Sequence, residues 1–306
     1  MHEEPQAQGA AEKVATALRK KEEEDGHLGP VLRAFGKTLI EQARWKETLT
    51  DCGRHEIAPP DPERFGKGVP LADRERLIRL GPLWREAGER IIPSLAEGFP
   101  KIGEGLARLR AALADGSFSP DVFLGAAYGG RVKEAEESAA GIGFEPDVLV
   151  FVLTQVAGPV IEKRAEALRP LIAELAWDKG YCPICGSFPE LSLLWGKEGQ
   201  RWLRCGFCAS AWRFHRMSCP YCDTQVPSDG ELLFVEGREH ERVEVCHKCG
   251  RYVTGIDLRG FADEVVREVI NIGLMHLDAV AQAKGFLPMK GIGWRSIDDA
   301  CCGHRH

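Results

Sequence analysis

Cys182-Pro183-Ile184-Cys185-Gly186, Cys205-Gly206-Phe207-Cys208, Cys219-Pro220-Tyr221-Cys222 and Cys246-His247-Lys248-Cys249-Gly250 are four Cys-x-x-Cys knuckles within 68 residues. They hold eight of the chain's eleven cysteines. Two thiolates at i and i+3 of a tight turn can grip one cation, and a second knuckle completes a tetrahedron. Four such knuckles, each with Gly or Pro in or beside it, are the ligand set for two four-cysteine metal sites. Reduced or disulfide-bonded cysteines are the competing reading.

The sequence between the knuckles repeats. Leu191–Leu194 and Arg201–Arg204 read as short strands around a Gly196–Gly199 turn. Glu231–Val235 and Glu241–Val245 do the same around Gly237–His240. Each unit runs knuckle, strand, turn, strand, knuckle, an internal repeat. A hairpin brings its own ends together. The favoured pairing is therefore sequential: Cys182, Cys185, Cys205 and Cys208 in one site, and Cys219, Cys222, Cys246 and Cys249 in the other. Nineteen and 23 residues separate the paired knuckles. The rival pairing closes the two central knuckles across the ten residues from Ala209 to Ser218.

Upstream, residues 1–177 read as an all-α domain. Val31, Leu32, Phe35 and Leu39 share one helical face. Ile102, Leu106, Leu109 and Leu113 are spaced 4, 3, 4, with Gly116 as the stop. Phe144-Glu145-Pro146-Asp147 opens a long apolar helix, with breaks expected near Pro159 and Pro170. Pro59-Pro60-Asp61-Pro62 marks a loop. Residues 178–217 and 218–258 are then two small metal-binding domains. Residues 259–306 are a closing helix, from about Ala262 to Lys284, and a tail. Val266, Ile270, Gly273, Leu277 and Val280 form the apolar stripe of that helix. The fold class is α+β.

At 306 residues the chain has room for two or more cores. Apolar residues make up 44% and charged residues 28%, as in ordinary soluble domains. The acidic start Met1-His2-Glu3-Glu4-Pro5 has no apolar h-region, so the expected location is the cytoplasm, where cysteines stay reduced. The most apolar run, Val148–Ile161, is too short to cross a bilayer. Net charge is −6, and residues 181–255 carry nine Lys/Arg against nine Asp/Glu. Two divalent ions in four thiolates each bring that module to about −4. A nucleic-acid ribbon is basic, so nucleic acid is not the expected partner, despite the interleaved Trp212-Arg213-Phe214-His215-Arg216. Those aromatics read as packing between the metal domains or as a protein-binding edge.

Several other motifs carry little. Cys219-Pro220-Tyr221-Cys222 matches a glutaredoxin-like dithiol letter for letter. That chemistry requires a strand before it and a helix after it, and turn sequence follows instead. His247 lies inside an already complete ligand set. Cys52 reads as a lone thiol, and Cys301, Cys302, His304 and His306 as an unstructured tail. No phosphate loop, nucleophile elbow or His-Glu-x-x-His motif is present, and the chain does not read as an enzyme. Four protein ligands close a metal site to substrate. Iron or zinc both suit such thiolate sets, which occur in zinc ribbons and rubredoxin-like sites alike.

The run Cys182–Pro189 resembles the opening knuckle of the FdhE family of formate dehydrogenase accessory proteins. Arg201–Cys208 resembles its second knuckle and Cys246–Tyr252 its last. Trp212 and Arg216, four and eight residues past Cys208, resemble its central spacing. Ala211 departs from the acidic residue common before the Trp, and the Cys/His-rich tail is not a family hallmark. The resemblance implies a helical domain followed by two rubredoxin-like metal centres, with iron as the expected occupant. It implies a cytoplasmic, non-enzymatic maturation factor that binds the catalytic subunit of respiratory formate dehydrogenase before export. Docking is expected around Trp212 and Arg216, and self-association is possible. The alternatives are a zinc-ribbon module for nucleic acid or the transcription machinery, and a rubredoxin-type electron carrier.

Overall fold

The computed structural model describes residues 9–50, 57–225, 229–260 and 266–290. Cys52, the expected start of the closing helix before residue 266 and the Cys/His tail lie outside the described residues.

Nine α-helices come first: α1 (Ala10–Glu24), α2 (Gly29–Thr48), α3 (Pro62–Gly66), α4 (Arg74–Ile78), α5 (Leu83–Gly98), α6 (Gly103–Asp115), α7 (Pro120–Tyr128), α8 (Val132–Ile142) and α9 (Pro146–Leu168). Their ends follow local chemistry. Asp61, Asp73 and Ser119 cap α3, α4 and α7 by accepting backbone N–H bonds. Gly116, in the left-handed region, ends α6 where expected. α9 is the axis of this half. Leu149, Val152, Leu153, Val156, Ala157, Val160 and Ile161 are fully buried around its whole circumference. Pro159 does not break it. The Gln155 carbonyl, deprived of its helical donor by that proline, accepts from the Gln42 side chain on α2 at 2.7 Å. The break comes at Pro170, in a 3₁₀ turn from Arg169 to Ile172.

The second half is one sheet: β1 (Pro189–Trp195), β2 (Gln200–Cys205), β3 (Ala211–Arg213), β4 (Gly230–Phe234), β5 (Glu241–Cys246), β6 (Arg251–Asp257) and β7 (Leu287–Pro288). The order is β3-β2-β1-β6-β5-β4, with β7 beside β6. Both expected hairpins form, β1 with β2 and β4 with β5. β6 then enters between them, antiparallel to β5 and parallel to β1. Each hairpin keeps its own knuckles, and a single sheet runs through both.

The two sheet faces differ. One carries Leu191, Leu193, Leu233, Val243, Val245, Tyr252 and Ile256, and packs on Leu274, Leu277 and Ala281. The closing helix that supplies them differs from the single helix expected. It is two pieces, α10 (Arg267–Gly273) and α11 (Met275–Ala283). At Gly273 an added Cβ would lie 2.8 Å from Lys21 Cε, so close approach to α1 falls at the break. The buried stripe is Val269, Ile272, Gly273, Leu277 and Ala281, rotated from the expected one, and Val280 is exposed. The opposite face carries Leu203, Trp212 and Phe214 over β2 and β3, and there it joins the core of the helical half.

Three sets of bonds hold the halves together. The Leu71 and Ala72 amides donate to the Pro183 and Ile184 carbonyls of the first knuckle at 2.9 and 2.8 Å. The Tyr181 hydroxyl donates to the Gly68 carbonyl. Lys21 and Asp25 of α1 pair with Glu241 and Arg238 of the second hairpin, each at 2.6 Å. No single helix among the described residues is long and apolar enough to cross a membrane. One bent pair passes on length and composition, bent by 74° and including the buried α9.

Candidate metal centres

The hairpins bring the knuckles together in the sequential pairing. Cys205 ends β2 and Cys246 ends β5, so each closing knuckle continues its own strand. Each opening knuckle precedes its hairpin and folds back on it. Gly186, Ala209, Asp223 and Gly250, the residues after the second cysteine of each knuckle, all have φ between +55° and +73°. This left-handed step turns the chain so that both thiols point at one centre. Glycine takes it freely; Ala209 and Asp223 are the two non-glycine positions with positive φ among the described residues. Backbone bonds brace the turns, as in Gly186 N–H to Cys182 O and Gly250 N–H to Cys246 O, both 2.9 Å.

In the first cluster Cys182 Sγ lies 3.6 Å from Cys208 Sγ, and Cys185 Sγ 3.5 Å from Cys205 Sγ. In the second, Cys219 Sγ lies 3.8 Å from Cys249 Sγ, and Cys222 Sγ 3.7 Å from Cys246 Sγ. Within each cluster all four sulfurs lie inside 4.8 Å of one another. Four thiolates about 2.3 Å from a common ion form a tetrahedron with edges of about 3.7 Å. The sulfurs match that cage and are too far apart for disulfides, whose bond is about 2.05 Å. Each cluster can hold one metal ion; iron and zinc both suit four thiolates.

Amide donors stabilise the thiolate form. Ile184 N–H points at Cys182 Sγ at 3.4 Å, and Phe207 and Cys208 N–H at Cys205 Sγ at 3.3 and 3.4 Å. Burial pushes the Cys182 and Cys208 thiols well up. At Cys185 burial also acts upward, but hydrogen bonds with Cys182, Cys205 and Cys208 outweigh it and bring the thiol well down. In the second cluster the hydrogen bond with Cys249 brings Cys219 down to about 5 and pushes Cys249 up. Each cluster thus favours partial ionisation, the condition for metal uptake with proton release.

The surroundings of the clusters differ. The first is enclosed: Cys182 is 0% exposed and Cys205 and Cys208 are 1%, all within the large core that includes α9. The second lies in a small cluster with Val253 and Met289, and its Cys222 and Cys249 are half-buried. A row of aromatic contacts runs from the helical half to the second knuckle through Phe65, Trp177, Tyr181, Phe188 and Tyr221, each ring centroid within 6.3 Å of the next. Arg251 covers Tyr221 at 4.2 Å. Gly180 lies so near the second knuckle that an added Cβ would meet the Pro220 carbonyl at 1.9 Å.

Arg201 joins the two units, and sequence reading did not single it out. Its side chain is 3% exposed. It donates to Ser192 Oγ on β1 at 3.1 Å, and to the His215 and Ser218 carbonyls at 3.0 and 2.8 Å. It also pairs with Glu244 of β5. One guanidinium therefore fixes β1, β5 and the linker between the knuckle pairs, using the planar fork that lysine lacks. Glu190 is a second buried junction. It takes Arg204 at 2.5 Å, Asn271 at 2.6 Å and Lys290 at 2.8 Å. Burial would raise its carboxyl, but Lys290 and Arg204 hold it below the usual range.

Trp212, expected at the docking seam, is buried, and its indole N–H donates to the Lys179 carbonyl at 3.1 Å. Phe214 is buried beside it, and Arg216 is exposed. His247 is half exposed and contacts Glu231 at 3.0 Å, outside the thiol cage.

The model of the FdhE central domain matches residues 181–216. An FdhE homolog of Aquifex aeolicus is 32% identical over 154 residues, which cover 48% of this chain and 52% of that protein. An FdhE homolog of Shewanella oneidensis is 26% identical, covering 63% of this chain and 61% of that one. The chain thus spans about half to three fifths of the length of these relatives. The crystal structure of the FdhE protein from Pseudomonas aeruginosa shares the fold, with a TM-score of 0.65 at 21% identity over 96% of this chain and 97% of that one.

Proposed function

We propose, from the support that the family model and the curated relatives give to the FdhE family and from the shared fold, that this chain is a formate dehydrogenase accessory protein. In this reading it is not an enzyme. It works in the cytoplasm and binds the catalytic subunit of a respiratory formate dehydrogenase before export. The observation that carries the reading is the pair of four-thiol cages, whose sulfur spacings fit closed metal sites. Closed sites hold shape and leave no position for substrate.

Two bound ions, iron by the family resemblance or zinc by the ligand chemistry, fix the hairpins around their cages. Units 178–217 and 218–258 each carry one centre, set against the helical unit 1–177 and the closing segment 259–306. The exposed Arg216, anchored by buried Trp212 and Phe214, offers the client a cationic contact.

The test is formate dehydrogenase activity in the host with this gene deleted, with catalytic-subunit abundance read on the same samples. Lost activity with the subunit still present is expected. Unchanged activity overturns the reading.

The half-buried Cys222 and Cys249 favour one further reading, electron transfer at the second centre. It requires iron and a reversible one-electron wave in voltammetry. Zinc in protein purified without air from its own host excludes it.

A further inference from the structure

The sheet is closed off at one end and open at the other. β4 pairs with β5 along one side, and among the described residues no strand flanks its outer side. Bare strand edges present unpaired amides and carbonyls, a template for another strand, and natural proteins usually blunt them with charge, proline or a cover. β4 carries little of that protection. Its sequence is Gly230-Glu231-Leu232-Leu233-Phe234.

Leu233 points to the face packed by α11 and is buried. Leu232 and Phe234 point to the other face and are 50% and 53% exposed. Their cross-strand neighbours are Glu244 and Arg242, so they share the face on which Arg201 ties down the 215–218 linker. The helical half covers that face over β2 and β3. At β4 it is open, and Met217 on the linker and Val235 after β4 are exposed as well, at 49% and 41%.

Charge selects the occupant. From Asp229 to Glu236 there are three carboxylates and no basic residue. Gly230 lies opposite Cys246 of the second cluster, and four thiolates around a divalent ion add about two negative charges there.

We propose that β4 is a docking edge for an extended segment of a client protein, apolar at alternate positions and flanked by lysine or arginine. The segment adds as an eighth strand. Its backbone supplies the missing ladder, its apolar side chains lie on Leu232 and Phe234, and its basic ends face the carboxylates. This deepens the accessory-protein reading and rests on it for the source of the segment. Binding itself is a property of the purified chain.

The experiment uses the full metal-loaded chain and a labelled peptide of alternating valine and threonine, about as long as β4, with paired lysines at each end. Fluorescence anisotropy reads affinity, and backbone NMR shifts read location. Saturable binding with the largest shifts at residues 230–234 is expected. The doubly substituted L232S/F234S chain, altered only at exposed positions, should bind about tenfold more weakly. N-methylation of alternate peptide amides should abolish binding. No saturable binding, shifts centred elsewhere, unchanged affinity of the N-methylated peptide, or equal affinity for a peptide with glutamates at its ends overturns the proposal. Concentration-dependent dimerisation through residues 230–234, removed by L232S/F234S, also overturns it, because the occupant is then a second copy. Failure of the peptide leaves the gene-deletion result untouched, so the two readings fail separately.

Discussion

The two cysteine clusters have the same ligands, the same knuckle geometry and the same hairpin logic, yet one is sealed into a core and the other sits at a rim. The first is wrapped by α9 and its neighbours and is bonded to the loop before α4 through Leu71 and Ala72. The second has a thin apolar jacket and two half-buried sulfurs. A repeat in sequence thus yields two sites whose ions are held by similar bonds but shielded very differently. Access, not ligand count, separates them.

The largest expected contrast comes from removing a ligand. Cys182→Ser should abolish the first site and unfold the shared core, a loss on the order of 10 kcal/mol if the site's whole metal-binding energy is forfeited. Cys249→Ser should leave the helical half folded. Circular dichroism at 222 nm during thermal unfolding separates the outcomes, and equal loss of helix in both variants would erase the distinction between the sites.

Arg201→Ala comes next. It strands Glu244 and frees the carbonyls of His215 and Ser218, at a cost of about 3–5 kcal/mol for a broken buried pair. Urea unfolding should lose its single transition, with residues 218–258 melting first. A single unchanged transition would mean that the two hairpins are coupled by β6 alone.

Competition with a chelating dye should show two phases, one ion leaving at least about tenfold faster than the other, a barrier difference of about 1.4 kcal/mol. Alkylation mapping should place the fast phase at Cys222 and Cys249. Equal rates would show that global opening, not local exposure, controls release.

The smallest effect is at the left-handed turns. Ala209→Gly should relieve about 1 kcal/mol of backbone strain, read as a higher unfolding midpoint. Asp223→Gly at the equivalent turn should gain less, since aspartate tolerates that conformation better than alanine.

The ligands and their sequential pairing were legible because knuckle spacing and hairpin closure are local. The strands came within a residue or two: expected at 231–235, for instance, β4 runs from Gly230 to Phe234. β6 was missed, although Tyr252-Val253-Thr254-Gly255-Ile256 is β-branched and aromatic, because the repeat drew the eye to two hairpins. Its parallel partner β1 lies some 60 residues away, and no short-range pattern specifies that pairing. The burial of Trp212, the clamp at Arg201 and the sealing of the first cluster are tertiary facts of the same kind. The closing helix was misread because its 4, 3, 4, 3 spacing fits more than one stripe. Contact with α1 at Gly273 selects the buried one.

The central position of β6 has a consequence for synthesis on the ribosome. The strand that completes the sheet is made after both hairpins it joins. At about 5–20 residues per second, the 62 residues from the end of β1 to the end of β6 take roughly 3–12 s. Through that interval the inner edges of β1 and β5 are open strands on a nascent chain, and early metal capture by Cys182, Cys185, Cys205 and Cys208 would hold the first hairpin in register until its partner emerges.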